Sequence, residues 1–523
     1  MKKCLVFGFI FTILSINIRG QSNSISVIEL KSTFSLNENF RIGNYLHSVF
    51  AEVLGDCVYD GIWVGKNSSV PNIEGIRKDF IDGCKEAGVT SIRWPGGVFA
   101  DHYHWKYGIG SNRKARMYSA MADLENDNLT RVNTKSNEFG TDEFLKLCQL
   151  VGCTPILVAN TATGSPEELY DWFEYCNGDS TTWWGSKRAE NGHPKPYNVK
   201  IWALGNTDDN AWHIANSDPL NYAHDFLRYR TAIRHFAGIQ IIGLGYSLRH
   251  KDPEWVGKFL DYVTRGGTAA GPNSLSLHHY SGGAKSATKD CGPSVKYTDD
   301  QYYYSLNTVE LFRKDIEHHR MAIEKYTNPK FKTTICFDEW GFWHPDTKSG
   351  LRQSQTVRDG IFAALSLHTF YRNSDIVEYA MATQVVNVLQ SLFETNNEKF
   401  LKTPTFYVFK LFKPHLGQYI VPFSGLEKEP MLDCVLSSSG DKKSIVLTAV
   451  NKHLTDRKRI IFPAGLKNNY TISECSVINS KNVRDENTFE NPMIIVDHPV
   501  RIEENGFFDL EPHSVYRFIF NRK

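Results

Sequence analysis

The sequence carries almost no net charge: 59 Lys and Arg stand against 58 Asp and Glu, a formal +1 over 523 residues. With neither sign in excess and no long basic run interleaved with aromatics, nothing supports a large nucleic-acid footprint, and a neutral partner fits better. No phosphate loop of the form GxxxxGK[ST] is present. Internal repeats, heptads and low-complexity linkers are absent too, which excludes solenoid, coiled-coil and disordered classes. The cysteines lack the dense spacing of a metal site, so neither a metal nor a cofactor is expected. The one apolar run of note, from about Leu5 to Ile16, is too short to anchor the chain in a bilayer.

What is present suits a large enzyme. A mass of 59.6 kDa fits one catalytic-size domain plus a smaller one, and 41% hydrophobic with 13% aromatic residues supports a sizeable core. Residues 1–20, MKKCLVFGFIFTILSINIRG, have the layout of a signal peptide, with Lys2 and Lys3 ahead of the apolar stretch. Export to a periplasm or the medium is the expectation, with a mature chain opening near Gln21. Of the ten cysteines, Cys4 leaves with the signal and nine remain. Nine cannot all pair, so most are expected as small buried hydrophobes, with a disulfide or two.

From about residue 45 to 390, short apolar strands alternate with helix-like stretches, the rhythm of parallel strands covered by helices. Examples are VTSIRW from Val89, TPILVAN ending at Asn160, YNVKIWALG ending at Gly205 and IQIIGLG, with further strands ending near His278 and Glu339. Residues 391–523 change to short alternating segments such as IVLTAVNKH and YRFIFNRK, typical of an antiparallel sandwich. The segment 21–44 also alternates and is expected to add a strand to that second domain.

Polar residues cluster at the strand ends, where a sheet of this class exposes its ligand crevice. CFDEW places Asp338 and Glu339 there, beside Trp340, Phe342 and Trp343, which suit stacking on a sugar face or plain core packing. IWALGNTDDN ends another strand with Asn206, Thr207, Asp208 and Asp209. A retaining sugar hydrolase needs one carboxylate to attack and a second, about 5–5.5 Å away, to protonate the leaving oxygen and then activate water. Asp338 or Glu339 is a candidate for the first and Asp208 or Asp209 for the second; capping of the following helix is the bland alternative for the two aspartates. SIRWPGGVFADHYHW supplies Arg93, adjacent glycines and Asp101, and SLHHY supplies His278, His279 and Tyr280. Hydrogen bonding to substrate or to Glu339 explains the histidines better than a metal does.

At these residues the sequence resembles the α-L-arabinofuranosidases of glycoside hydrolase family 51. The markers are FAEVLGDCVYDGI from Phe50, RWPGG at Arg93, NEFGTDEF at Asn137, EYCNG at Glu174, GHPKPYNVK at Gly192, Gly205-Asn206, DEW at Asp338 and ATQVVNVLQ at Ala382. The resemblance implies a (β/α)8 TIM barrel with a C-terminal antiparallel β-sandwich, and retaining hydrolysis of arabinofuranosyl units from plant arabinan or arabinoxylan, without cofactor or metal. It also implies a possible homo-oligomer. By motif, Glu339 corresponds to the nucleophile and Asn206 to the partner of the sugar 2-OH; Glu52, Arg93, His278, Tyr280 and Gln384 correspond to the rest of the furanose-binding shell.

Two departures stand out. The family has Gly-Asn-Glu where this chain has Gly205-Asn206-Thr207, so the acid/base position holds a hydroxyl whose proton is too tightly bound to transfer near neutral pH. Val98 stands where the family has Asn after RWPGG, removing a polar contact to the sugar. The expected function is a glycoside hydrolase with altered acid/base machinery, served by Asp208, by Asp209, by another carboxylate such as Asp101, or by the substrate or leaving group assisting its own cleavage. The competing reading is a catalytically weak carbohydrate-binding protein on the same scaffold.

Overall fold

The computed structural model describes residues 25–36, 39–118, 133–206, 214–248, 250–265, 271–282, 289–328, 330–502 and 506–523. Eight parallel strands close into a barrel in chain order: Ser48–Phe50, Ser91–Trp94, Thr154–Ala159, Ile201–Leu204, Gln240–Leu244, Ser274–Gly282, Thr334–Trp343 and Val377–Ala382. They are called here the first to eighth barrel strands. Closure comes where Met381 and Ala382 of the eighth lie opposite Ser48 and Val49 of the first.

Strand pleat explains why these segments read as continuous apolar runs. Ile156, Val158, Ile201, Ala203, Ile242 and Met381 fill the barrel interior together with Phe50. The alternate residues Leu157, Trp202, Leu204, Leu275, Leu277 and Phe337 face the helical layer. A parallel strand covered on both faces has no side to leave polar. The helices between strands start and stop on local chemistry. Thr141–Val151 begins where the Glu143 carboxylate accepts the Gly140 N–H at 2.9 Å and ends at Gly152 with φ +80°. Pro166–Asn177 is capped by the Ser165 side chain, which accepts the Glu168 N–H.

The C-terminal domain packs two sheets. The larger is antiparallel, in the order Tyr419–Ile420, Leu432–Ser438, Ser444–Asn451, Ser514–Arg522, Tyr470–Asn479 and Val496–Pro499. The smaller joins Lys458–Ile461 to Phe507–Leu510 antiparallel and to the N-terminal strand Ser26–Glu29 in parallel. Ile28, Ile460 and Leu510 of the smaller sheet share one core with Leu436, Leu447 and Phe518 of the larger. The parallel pair is a departure from a purely antiparallel sandwich.

The hairpin Phe393–Asn396/Lys399–Lys402 and the helix Pro404–Phe412 precede the first strand of the larger sandwich sheet at Tyr419, and Phe393, Phe406 and Phe409 lie in the large core shared by the barrel's helical layer and part of the sandwich. One expectation needs correction: the expected disulfides do not form, because all nine described cysteines are free, eight of them buried. Among the described residues no helix is long and apolar enough to cross a membrane.

Candidate active site at the barrel mouth

The second barrel strand, SIRW, is buried along its whole length, so Arg93 enters the barrel axis fully enclosed. Its guanidinium collects polar groups from two other strands, the fourth and the seventh. Nη1 donates to Glu339 Oε1 at 3.1 Å, Nη2 donates to Asn206 Oδ1 at 2.6 Å, and Nη2 lies 3.2 Å from Asp338 Oδ2. The Phe50 ring lies 4.6 Å from its carbon centre. Burial alone would lower the Arg93 pKa, but the carboxylates of Asp338 and Glu339 outweigh it and hold the group firmly charged.

Glu339 sits on the seventh strand, where the register against the sixth slips: Leu277 pairs with Phe337, yet His278 pairs with Glu339. Asp338 is the extra residue of this bulge, and the bulge lets consecutive carboxylates both address Arg93. Tyr280 Oη donates to Glu339 Oε2 at 2.6 Å. His278 bridges the pair, with Nδ1 3.4 Å from Glu339 Oε2 and Nε2 3.5 Å from Asp338 Oδ1. Burial pulls the His278 pKa down, but Glu339 and Asp338 more than reverse it, so the imidazole is raised toward the charged form. His279 points away, with Nδ1 2.8 Å from Asp315 Oδ2 and its ring stacked 3.8 Å from that of Phe312.

Glu52 and Gln384 form a second clamp, built from the segments after the first and eighth strands. The Glu52 N–H donates to Gln384 Oε1 at 2.9 Å, and Gln384 Nε2 donates back to Glu52 Oε2 at 3.1 Å. Glu52 Oε1 accepts the N–H groups of Gly97 at 3.1 Å and Phe99 at 2.9 Å. Burial, then repulsion from Glu339, raises its pKa from 4.5 to about 7, against the opposing pull of those amides and Arg93. The glycines make this approach possible: a Cβ on Gly97 would lie 2.6 Å from Glu339 Oε1, and one on Gly96 would lie 2.7 Å from Glu52 Cγ.

The structure thus brings Glu52, Arg93, Asn206, His278, Tyr280, Glu339 and Gln384 into one constellation. Thr207, Asp208 and Asp209 lie outside the described residues. Asp338 belongs to the constellation although the sequence offered it only as half of a carboxylate pair; the bulge that turns it inward leaves no mark in residue spacing. Asp101 is also close by and fully enclosed, with neither carboxyl oxygen hydrogen-bonded among the described residues. Burial, then Glu52, pushes its pKa well up and keeps it neutral. Among the described residues no group of three His, Cys, Asp or Glu could hold a metal ion.

The chain is similar to known proteins over most of its length. Residues 84–290 match the alpha-L-arabinofuranosidase 1 domain and residues 338–514 the alpha-L-arabinofuranosidase C-terminal domain. An intracellular exo-alpha-L-arabinofuranosidase of Bacteroides ovatus is 31% identical over 96% of this chain and 95% of its own. Alpha-L-arabinofuranosidase C of Emericella nidulans is 31% identical over 73% of each chain. Among solved structures, the GH51 arabinofuranosidase of Xanthomonas axonopodis pv. citri superposes with a TM-score of 0.83 at 25% identity, covering 95% of this chain and 100% of its own. The alpha-L-arabinofuranosidase of Thermotoga maritima in its arabinose complex gives 0.79 at 27%, covering 95% and 99%.

Proposed function

The chain belongs to glycoside hydrolase family 51, the α-L-arabinofuranosidases, and on that premise we propose that it removes non-reducing-end arabinofuranosyl units from plant arabinan or arabinoxylan oligosaccharides by a retaining double displacement with altered acid/base machinery. The observation that carries the reading is Glu339, oriented through both oxygens by Arg93 at 3.1 Å and Tyr280 at 2.6 Å. A carboxylate fixed in this way is pre-organised to attack the anomeric carbon. In the first step a Glu339 oxygen bonds to C1 while the C1–O bond to the leaving group breaks and a second carboxyl group gives the departing oxygen its proton. In the second, that carboxylate takes a proton from water as the water oxygen replaces Glu339 at C1 and the Glu339 carboxylate returns, so the configuration is retained. Asn206 reads the 2-OH, and the Glu52–Gln384 clamp takes the remaining hydroxyls.

The second carboxylate is proposed to be Asp208 or Asp209, which follow Thr207 in sequence. The test is hydrolysis of an aryl α-L-arabinofuranoside with an activated leaving group beside an arabino-oligosaccharide, each with and without azide. Fast cleavage of both, insensitive to azide and lost in Asp208→Asn or Asp209→Asn, supports the replacement. Cleavage of the aryl substrate alone, accelerated by azide, shows Glu339 attacking with no acid/base behind it. Turnover of neither would favour a carbohydrate-binding role instead.

Export belongs to the same proposal, on the strength of the Lys2-Lys3 start and the apolar stretch after it. The Bacteroides ovatus relative carries "intracellular" in its name, so fractionation of expressing cells decides the point: activity in the periplasm or medium is expected, and activity confined to the cytoplasm overturns it.

A further inference from the structure

Two helices of the barrel layer end in the same way, and each carries a cysteine at the same place in its last turn. After the helix Lys78–Ala87, Gly88 adopts φ +76° and the Val89 N–H donates back to Cys84 O at 3.0 Å. After the helix Thr141–Val151, Gly152 adopts φ +80°, its N–H donates to Cys148 O at 2.8 Å, and the Cys153 N–H donates to the same oxygen at 3.0 Å. Both are left-handed glycine caps, which turn the chain back over the end of the helix and commonly set the side chain two places past it against one in the last turn. Beyond the first helix the residue so placed is Val89. Beyond the second it is Cys153, so a thiol meets a thiol.

The electrostatics of the three cysteines reflect that contact. Cys148 is buried, and its pKa is pushed well above the ordinary thiol value by burial first, then by the neighbouring Cys153 thiol, with Cys84 contributing less. Cys84, buried as well, is raised by burial and then by Cys153. Cys153 therefore neighbours both, and it alone of the three is partly open to solvent; all three are free thiols. A disulfide needs Cα atoms within about 7 Å of each other and side chains that converge. The backbone hydrogen bond from Cys153 to Cys148 holds the two residues together, and the cap turns their side chains toward each other.

We propose that Cys148 and Cys153 are a redox site, a dithiol that a peroxide converts into a disulfide clasping the end of the helix Thr141–Val151 to the start of the third barrel strand. Cys153 reacts first, because it is the more accessible and Cys148 holds its proton tightly. Its sulfur attacks one peroxide oxygen, the O–O bond breaks, and Cys153 becomes a sulfenic acid as one water leaves. The Cys148 sulfur then attacks that of Cys153, the S–O bond breaks, and the hydroxyl departs with the Cys148 proton as a second water. The pair gives up two electrons and two hydrogens, and the peroxide is reduced to two waters. Cys153 directly precedes the strand Thr154–Ala159, at the end of the barrel away from Glu339, so the clasp acts on the stability of the fold and not on the site. On the proposed export, the pair enters surroundings in which disulfides persist.

The experiment treats the full-length protein with hydrogen peroxide, blocks the remaining thiols with N-ethylmaleimide in denaturant, and reads the peptides by tandem mass spectrometry before and after dithiothreitol. The expected result is a Cys148–Cys153 disulfide in most of the protein, two hydrogens lighter than the dithiol and reopened by dithiothreitol. The oxidised form should melt about 2 °C higher than the reduced one. Cys84→Ser should keep both the disulfide and the shift in melting temperature. Cys153→Ser, at a partly exposed position that tolerates a hydroxyl, should lose both while its reduced form melts within a few degrees of the parent. Four outcomes overturn the proposal: both thiols still alkylated after peroxide, Cys153 oxidised onward to a sulfinic acid, Cys153 paired with Cys84 instead, or a disulfide that leaves the melting temperature unchanged or lower.

Discussion

Gly97 lies where one added methyl group would reach the carboxylate proposed as nucleophile. Its Cβ would meet Glu339 Oε1 at 2.6 Å and Asn206 Oδ1 at 3.4 Å, so a Gly97→Ala variant must push Glu339 away from Arg93. Displacing a reacting group by about 1 Å can cost up to 10²-fold in rate. The expected outcome is a 10- to 100-fold loss in kcat/KM on an aryl arabinofuranoside, with a melting temperature within a few degrees of the parent. Glu52 gives a second prediction. Its pKa is raised in the fold from 4.5 to about 7, so between those values the unfolded chain has released the proton and the folded one has kept it. Its contribution to stability is therefore fully present below pH 4.5 and lost as pH rises through 7. Glu52→Gln removes this titration: its melting temperature relative to the parent should climb from pH 4.5 to 7.5, and a constant difference across that range would refute the assignment.

At the scale of elements, one side chain ties three strands. Arg93 on the second barrel strand holds Asp338 and Glu339 on the seventh and Asn206 just past the fourth, all buried. Removing one member of a buried ionic cluster leaves the others charged and unpaired, a cost of about 3–5 kcal/mol. Arg93→Ala should therefore lower unfolding stability by about that amount in urea titration, besides abolishing turnover; loss of turnover at unchanged stability would mean that the strands do not depend on the cluster. The same elements show what the sequence made readable. Runs such as PILVA and IWAL announce doubly covered parallel strands because each must be apolar on both faces. Arg93, Glu339 and His278 are conspicuous because each stands where such a run turns polar. The bulge at Asp338 left no such trace, since a register slip depends on the neighbouring strand. Where the hairpin Phe393–Asn396/Lys399–Lys402 packs is hidden for a similar reason: alternation reveals a strand but not which core its apolar face joins. The parallel pairing of Ser26–Glu29 with Lys458–Ile461 spans most of the chain, and no local pattern announces it.

The two domains meet across a seam of buried polar groups, and the seam makes the whole molecule sensitive to acid. His368 Nδ1 lies 2.6 Å from Asp433 Oδ1 and its Nε2 lies 2.7 Å from Thr448 Oγ1; His415 Nε2 reaches the same hydroxyl at 2.9 Å, with its Nδ1 2.7 Å from Ser437 Oγ. His368 and His415 come from the barrel side, and Asp433, Ser437 and Thr448 belong to the large sandwich sheet. Burial lowers the pKa of His368, with Asp433 opposing, and lowers that of His415 further, helped by His368, His47 and Arg517. Burial, with Lys413, takes the nearby His47 from 6.5 to about 3. As pH falls below 6.5 the unfolded chain gains protons at these sites while the fold keeps them neutral, so stability drops, by up to about 1.4 kcal/mol per pH unit for each histidine. Buried carboxyls act the other way: Glu52 and Glu394, both raised to about 7, favour the fold as pH falls from 7 toward 4.5, and burial raises Asp101 and Asp142 in the same sense. The melting curve of the parent is the difference of the two effects, so the seam is isolated by comparison with His415→Gln, which keeps a polar group in place without a titrating ring. The stability difference between parent and variant should shift against the parent from pH 7 to pH 4.5, with a slope approaching that of one proton. A difference that does not move with pH would show that His415 titrates alike in both states, and that the seam holds the domains together without sensing acid.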